Sequence, residues 1–136
     1  MNLSRAQISA TSQIRLIKLD VTNQEQIERA VQIVKEGGRG LYGIVNSAGI
    51  APRDYHKLKG ITEADVDTEV KPIMDINFLG TVRVTNAFSS LILESKGCII
   101  TLSSMASRVP LIGKSITYSA SKVGMKMKLC DSNLIS

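Results

Sequence analysis

Short aliphatic runs alternate along this chain with longer stretches of helical period. Ile14-Arg15-Leu16-Ile17-Lys18-Leu19 is brief, aliphatic and closed by Asp20, which predicts a buried strand. Thr22-Asn23-Gln24-Glu25 then reads as a capping box, the threonine oxygen and the glutamate each satisfying a free amide of the first turn. Ile27, Ala30, Val31 and Val34 follow at i, i+3, i+4 and i+7, and Gly37-Gly38 closes that helix. Leu41 to Val45 is a second apolar strand, running into the small residues Asn46-Ser47-Ala48-Gly49. A loop is expected from Ile50 to about Gly60, and a short helix near Thr62, which has Asp65 three residues on. Pro72 belongs at the first position of the next helix, whose inner stripe is Ile73, Ile76, Gly80, Val84, Ala87, Phe88 and Leu91, with a stop at Lys96-Gly97. Cys98 to Leu102 is a third strand delivering Ser103 and Ser104 at its carboxyl end. After a loop with Pro110 and Gly113, a last helix begins close to Tyr118.

Strand and helix alternating three times is the pattern of a parallel sheet with crossover helices, an α/β fold. In such sheets ligands bind beyond the carboxyl ends of the strands, where Asp20, Asn46 and Ser104 fall.

Composition narrows the chemistry. The chain has 136 residues, a length suited to one domain, and 43% of them are hydrophobic, enough for a globular core. No apolar run approaches the roughly 20 residues of a membrane-spanning helix. Two cysteines and a single histidine, His56, leave zinc fingers, His-Glu-x-x-His sites and histidine-dependent triads without their parts, so no metal site is expected. The net charge of +5 is scattered, and its densest group, Lys122, Lys126 and Lys128, lacks interleaved aromatic residues to stack bases; nucleic acid is not the expected partner. The first 19 residues carry Arg5, Arg15, Lys18 and several serines with no acidic residue, the composition of a mitochondrial presequence. A strand starting at Ile14 leaves only a single arginine upstream of it, which favours the cytoplasm over the mitochondrion without fixing the compartment.

Gly38-Arg39-Gly40-Leu41-Tyr42-Gly43 matches Gly-x-Gly-x-x-Gly literally, yet it follows a helix and enters a strand. A diphosphate cradle must do the reverse, so that helix amides face the anion, and the match is discarded. Tyr118-Ser119-Ala120-Ser121-Lys122 puts a phenol and an ammonium on one helix face, where the charge favours phenolate and proton transfer. Tyr55 and Lys59 have the same spacing, but only Tyr118 follows a strand ending in hydroxyl residues and is flanked by small side chains.

Taken together these residues resemble the short-chain dehydrogenase/reductase family along nearly the whole chain. Leu19-Asp20-Val21-Thr22 resembles its adenine-side segment, and Asn46-Ser47-Ala48-Gly49 its Asn-Asn-Ala-Gly turn with one substitution. Asn77 in Met74 to Gly80 is similar to its helix asparagine, Ile99 to Ser104 to its serine strand, and Tyr118 with Lys122 to its tyrosine and lysine. The resemblance implies an oxidoreductase that interconverts a secondary alcohol and a ketone with NAD or NADP. By it Tyr118 is the general acid or base, Ser104 polarises the substrate oxygen, Lys122 lowers the tyrosine pKa and binds ribose, and Asn77 holds a relay water. Asp20 accepts from adenine with Val21 beside it, and Asn46, Ala48 and Gly49 line the cofactor with backbone. Residues 41–46 and 105–109 look most like the retinol, hydroxysteroid and hydroxybutyrate dehydrogenase branch, which implies a small alcohol or ketone such as a steroid or retinoid. A completed member would form a homodimer or homotetramer through the helices at 72–95 and near Tyr118.

The family's first strand and its Thr-Gly-x-x-x-Gly-x-Gly turn have no counterpart among residues 1–13, and the residues that choose NAD or NADP are missing with them. The expectation is therefore a single incomplete Rossmann-like dinucleotide-binding domain over 1–136, a doubly wound parallel sheet lacking its first and its C-terminal strands. In the strand order 3-2-1-4-5-6 the three strands here are the third, fourth and fifth. With two members missing, three spacings of about 4.8 Å leave about 14 Å between Leu16 and Ile44, and exposed edges. These residues alone are expected to give negligible turnover; the rival reading is a non-catalytic remnant acting as a protein-interaction module.

Overall fold

The computed structural model describes residues 14–52, 62–108 and 116–125. Tyr55, the Pro110–Gly113 loop, Met127 and the first 13 residues lie outside them.

Helix α1 spans Gln24–Glu36 and turns Ile27 and Ala30 into the core, with Val31 and Val34 packed beside them, the face its periodicity predicts. Its cap is one residue later than expected. Asn23, not Thr22, accepts the Gln26 N–H at 3.0 Å, while the Thr22 hydroxyl turns back to donate to Asp20. The glycine motif after α1 lies between a helix end and a strand, with Gly38 and Gly40 at positive φ, so its rejection as a diphosphate cradle holds.

Strand β1 is Gly43–Asn46 and β2 is Cys98–Thr101; they pair in parallel, Gly43 opposite Cys98 and Asn46 opposite Thr101. The crossover between them is helical from Val66 to Glu94. It comprises a π-turn at Val66–Val70, the α-helical stretch α2 at Lys71–Met74, a second π-turn at Asp75–Leu79, and α3 at Gly80–Glu94. This crossover starts before Pro72, and it is Asp65, not Thr62, that caps it by accepting from the Thr68 N–H and hydroxyl at 2.8 Å. Pro72 therefore lies inside a helical run and not at its start, and the π-turn ahead of it, closed by the Lys71 N–H on the Val66 carbonyl, widens the helix where a residue with no N–H must fit. A 3₁₀ turn at Met105–Ser107 follows β2, and α4 is Ile116–Gly124, opening two residues before Tyr118.

The core sits between α1, α3 and β1, built on Ile27, Ala30, Val84, Phe88 and Leu91. The sheet's other face is bare: Val45 is 59% exposed and Ile100 50%.

Ile14–Leu19 is the main departure from expectation. Its residues make no ladder among the described residues, and Ile14 and Leu16 are 60% and 58% exposed. The doubly wound order explains this, since a third strand has no edge to join unless the strands between it and the fourth are present. The segment is held at its end, where Val21 packs on Gly80 so closely that a Cβ there would lie 2.5 Å from Val21 Cγ2. Between Leu19 and Val21 on one side and the free edge of β1 on the other lies a cavity of about 380 Å³, floored by Val34, Val84 and Phe88. It occupies the place of the expected gap.

Candidate active site

At the end of β1 the chain is anchored before it turns. Asn46 is buried and its Nδ2 donates to Thr85 Oγ1 at 3.2 Å and Thr101 Oγ1 at 3.4 Å, tying β1 to both α3 and β2. Ser47, Ala48 and Gly49 then climb away from the sheet, exposed. Ile50 is caught by Asn77: its N–H donates to Asn77 Oδ1 at 2.7 Å and its carbonyl accepts from Asn77 Nδ2 at 2.9 Å. Asn77 lies in the second π-turn and is fully buried, and its Nδ2 also donates to Ser121 Oγ at 3.0 Å. Its backbone carbonyl accepts the Thr81 hydroxyl at 3.1 Å.

Helix α4 brings Tyr118 and Lys122 to the same place. The Lys122 ammonium stands 5.8 Å from the centroid of the Tyr118 ring, within cation–π range, and donates to the Leu102 carbonyl at 3.1 Å. Lys122 is only 6% exposed, so an ammonium with three N–H donors and one carbonyl acceptor is held out of bulk water. It faces Gly49, where an added Cβ would lie 3.4 Å from Lys122 Nζ and 3.3 Å from Asn77 Oδ1. The Lys122 carbonyl is pinned in turn by the Ser103 hydroxyl at 3.0 Å.

Ser104 takes a different post. It is the extended cap of the 3₁₀ turn, its Oγ accepting the Ala106 N–H at 3.2 Å while its carbonyl accepts the Ser107 hydroxyl at 2.7 Å. Its hydroxyl proton, like the Tyr118 phenol, has no hydrogen-bond partner among the described residues. Gly49, Asn77, Tyr118 and Lys122 thus form one cluster, with Ser104 at the end of β2 beside it. Val21, Asn46 and Ala48 line the cavity on the other side of the Asn46–Gly49 turn. Asp20 is exposed above that cavity; the Thr22 N–H at 2.9 Å and hydroxyl at 2.7 Å hold its carboxyl below the ordinary aspartate value, the backbone bond most, and they engage only Oδ1. No group of three or more metal-ligating side chains occurs among the described residues.

The sequence did not single out Ser121, Ser103, Thr85 or Thr101 for any role. Ser121, three residues after Tyr118, was legible as a small neighbour only, since nothing local shows that Asn77 meets it across 44 residues of chain.

Residues 2–130 match the family profile described as short chain dehydrogenase. The chain is 32% identical over 120 residues to the mitochondrial D-beta-hydroxybutyrate dehydrogenase of Rattus norvegicus, covering 85% of this chain and 33% of that protein. It is 34% identical over 122 residues to retinol dehydrogenase 16 of Mus musculus, covering 85% and 35%. Among solved structures, that of ElxO with NADP bound superposes with a TM-score of 0.66 at 30% identity, over 78% of this chain and 41% of that one. The chain spans about a third of the length of the curated relatives it matches.

Proposed function

The chain belongs to the short-chain dehydrogenase family, and from that premise we propose that residues 1–136 are one incomplete dinucleotide-binding domain of an NAD- or NADP-dependent oxidoreductase. The domain interconverts a secondary alcohol and a ketone, with Tyr118 as the general acid and base. The observation that carries this reading is the Tyr118–Lys122 pair: a phenol with a buried ammonium over its ring, the ammonium so near Gly49 that an added Cβ there would lie 3.4 Å from Nζ.

The residues present fit part of the cofactor. Lys122 has N–H donors beyond the one given to Leu102, suited to ribose hydroxyls, and the missing side chain at Gly49 lets the backbone come close to that ammonium. The backbone of Asn46, Ala48 and Gly49 would run along the nucleotide, and Asp20 Oδ2 is available to an adenine amino group with Val21 beside it. For the diphosphate there is no glycine-rich strand-to-helix turn among the described residues. When bound, a nicotinamide cofactor supplies or accepts the hydride.

The protein's own part is proton transfer and positioning. Tyr118 gives its proton to the carbonyl oxygen in reduction and takes one from the alcohol in oxidation. Ser104, whose hydroxyl proton has no acceptor among the described residues, donates to the same substrate oxygen. Asn77 Nδ2 gives its two protons to Ile50 and Ser121, so a relay water would donate to an Asn77 oxygen, either the side-chain Oδ1 or the backbone carbonyl. The hydroxybutyrate and retinol dehydrogenases among the relatives favour a small alcohol or ketone as substrate, retinoids and steroids included. Leu79, Leu93, Ile116 and Val123, exposed on the second π-turn, α3 and α4, are apolar positions for a subunit contact in a homodimer or homotetramer.

The test is a chimaera in which an amino-terminal strand–glycine turn–helix unit and a carboxyl-terminal segment from the rat relative complete the chain. Tyr118→Phe should lower NAD(P)-linked alcohol oxidation by about 10²–10⁴-fold and leave dinucleotide binding in place. A phenylalanine variant with undiminished turnover removes Tyr118 as the acid and base, and a completed chimaera with no NAD(P)-linked turnover at all sinks the reading and leaves the partner-binding remnant.

A further inference from the structure

Helix α4 touches the second π-turn at two points one helical turn apart. Gly124 lies against the Phe78 ring, where an added Cβ would stand 3.0 Å from Cδ2, and Ser121 meets Asn77. The glycine contact sets how close the helix comes. It is a smooth contact and does not stop the helix from rolling or sliding on the ring.

Ser121 supplies what that contact lacks. It is fully buried, a place where a hydroxyl is stable only if its donor and acceptor are both used. The hydroxyl donates to the Tyr118 carbonyl at 2.7 Å, a bond back along the helix, and accepts from Asn77 Nδ2 at 3.0 Å. Asn77 is fully buried too, and its other bonds go to both backbone groups of Ile50. One continuous path of hydrogen bonds therefore runs from Ile50, through Asn77 and Ser121, to the residue that carries the phenol. An alanine would fill most of the same space and leave one Asn77 N–H buried without an acceptor.

We propose that Ser121 is a positioning residue, whose hydroxyl fixes α4 against Asn77 and so sets where Tyr118 and Lys122 stand relative to the Asn46–Gly49 turn. This rests on the catalytic reading of Tyr118 and Lys122 given above. The bland rival is that position 121 needs only a small side chain, the hydroxyl satisfying its own helix. The two differ on what a hydroxyl at 121 does to Ile50, which is far away in sequence and shares no hydrogen bond with Ser121.

The experiment uses the 136-residue chain and an isosteric pair, Ser121→Thr and Ser121→Val, with Ser121→Ala as the smaller variant. Amide hydrogen exchange is read at Ile50 and, as a control, at Ala30 and Val31 in α1. Acylation by an N-hydroxysuccinimide ester is read by peptide mass spectrometry at Lys122 and at the exposed Lys71. Valine and alanine should speed exchange at Ile50 and acylation of Lys122 by about tenfold or more, leaving α1 and Lys71 unchanged. Threonine, which differs from valine by the hydroxyl, should restore both. Equal behaviour of threonine and valine, folded or unfolded, overturns the proposal, as does an alanine variant with wild-type rates. Neither readout involves turnover, so this failure and a failure of the Tyr118→Phe assay are separate results.

Discussion

Asn77 and Ile50 are joined twice, the asparagine oxygen accepting the isoleucine N–H at 2.7 Å and its nitrogen donating to the isoleucine carbonyl at 2.9 Å. A side-chain amide can do this because it carries donor and acceptor side by side. A carboxylate cannot. Asn77→Asp keeps the shape and the acceptor, but places a negative charge against the Ile50 carbonyl and removes the donor to Ser121 in a fully buried position. Alanine removes three hydrogen bonds and should cost about 1–3 kcal/mol; aspartate should cost more, about 3 kcal/mol or above, although it is the closer mimic. The sign with pH follows from burial. A carboxyl there has its folded pKa raised, so the variant's deficit relative to wild type should be smallest and flat below about 4, the unfolded value, and grow as pH rises from there toward the raised folded value. Urea midpoints at two pH values check both the ordering and the sign.

Gly97 and Gly38 offer a second comparison, of two glycines needed for different reasons. At Gly97 a Cβ would lie 2.7 Å from the Leu41 carbonyl oxygen and 2.8 Å from that of Tyr42, so alanine must push the run into β1 away from β2. Gly38 has φ +64 and open space around it. Gly38→Ala should cost about 1 kcal/mol, the penalty of a left-handed residue. Gly97→Ala, which displaces backbone, should cost about 3 kcal/mol in the same urea titration.

What the sequence made legible was whatever its own neighbours determine. The apolar face of α1 and the Tyr118–Lys122 spacing depend on period and local chemistry, and each stands where it was expected. The parallel pairing of β1 with β2 followed instead from the strand order the resemblance implies, and the strands are shorter than the runs 41–45 and 98–102 suggested, β1 also reaching one residue further, to Asn46. The missing strand at Ile14–Leu19 was not legible, because a strand needs an edge to join and the sequence shows only that the residues suit one. The caps failed by a residue or more for a related reason. Thr22 and Thr62 have good capping chemistry, but Asp20 competes for the first and Asp65 captures Thr68 in place of the second. At the site, Asn77 was visible as a motif residue. Its commitment to Ile50 and Ser121 was not, since that depends on three segments meeting.

Asp20 makes the structure answer to acid at one point. Its carboxyl is held below the ordinary value by the Thr22 N–H and hydroxyl, so whatever this turn contributes is fully present above the unfolded aspartate pKa of about 4 and is lost as pH falls through the lower folded value. The group is exposed, and the effect is local and screened by salt. The Thr22 amide resonance should move in a single titration step whose midpoint lies below that of a model aspartate. Asp20→Asn should abolish the step. A midpoint at or above the ordinary value would remove the case for the turn.

Gly49 and Gly80 separate the two sides of the candidate site. At Gly80 an alanine Cβ would strike Val21 at 2.5 Å and 3.0 Å, and a β-branched side chain with few rotamers cannot step aside, so the Leu19–Val21 wall must shift. At Gly49 the obstacles are Asn77 Oδ1 at 3.3 Å and Lys122 Nζ at 3.4 Å. Asn77 is held by three hydrogen bonds, whereas the lysine has one and a flexible stem, so the lysine gives way. Gly80→Ala should therefore lower the urea midpoint and leave the acylation rate of Lys122 as in wild type. Gly49→Ala should change stability by less than about 1 kcal/mol, yet raise that rate and, in the completed chimaera, weaken dinucleotide binding by about tenfold. If Gly49→Ala left both unchanged, the space in front of this glycine would not be where the ribose lies.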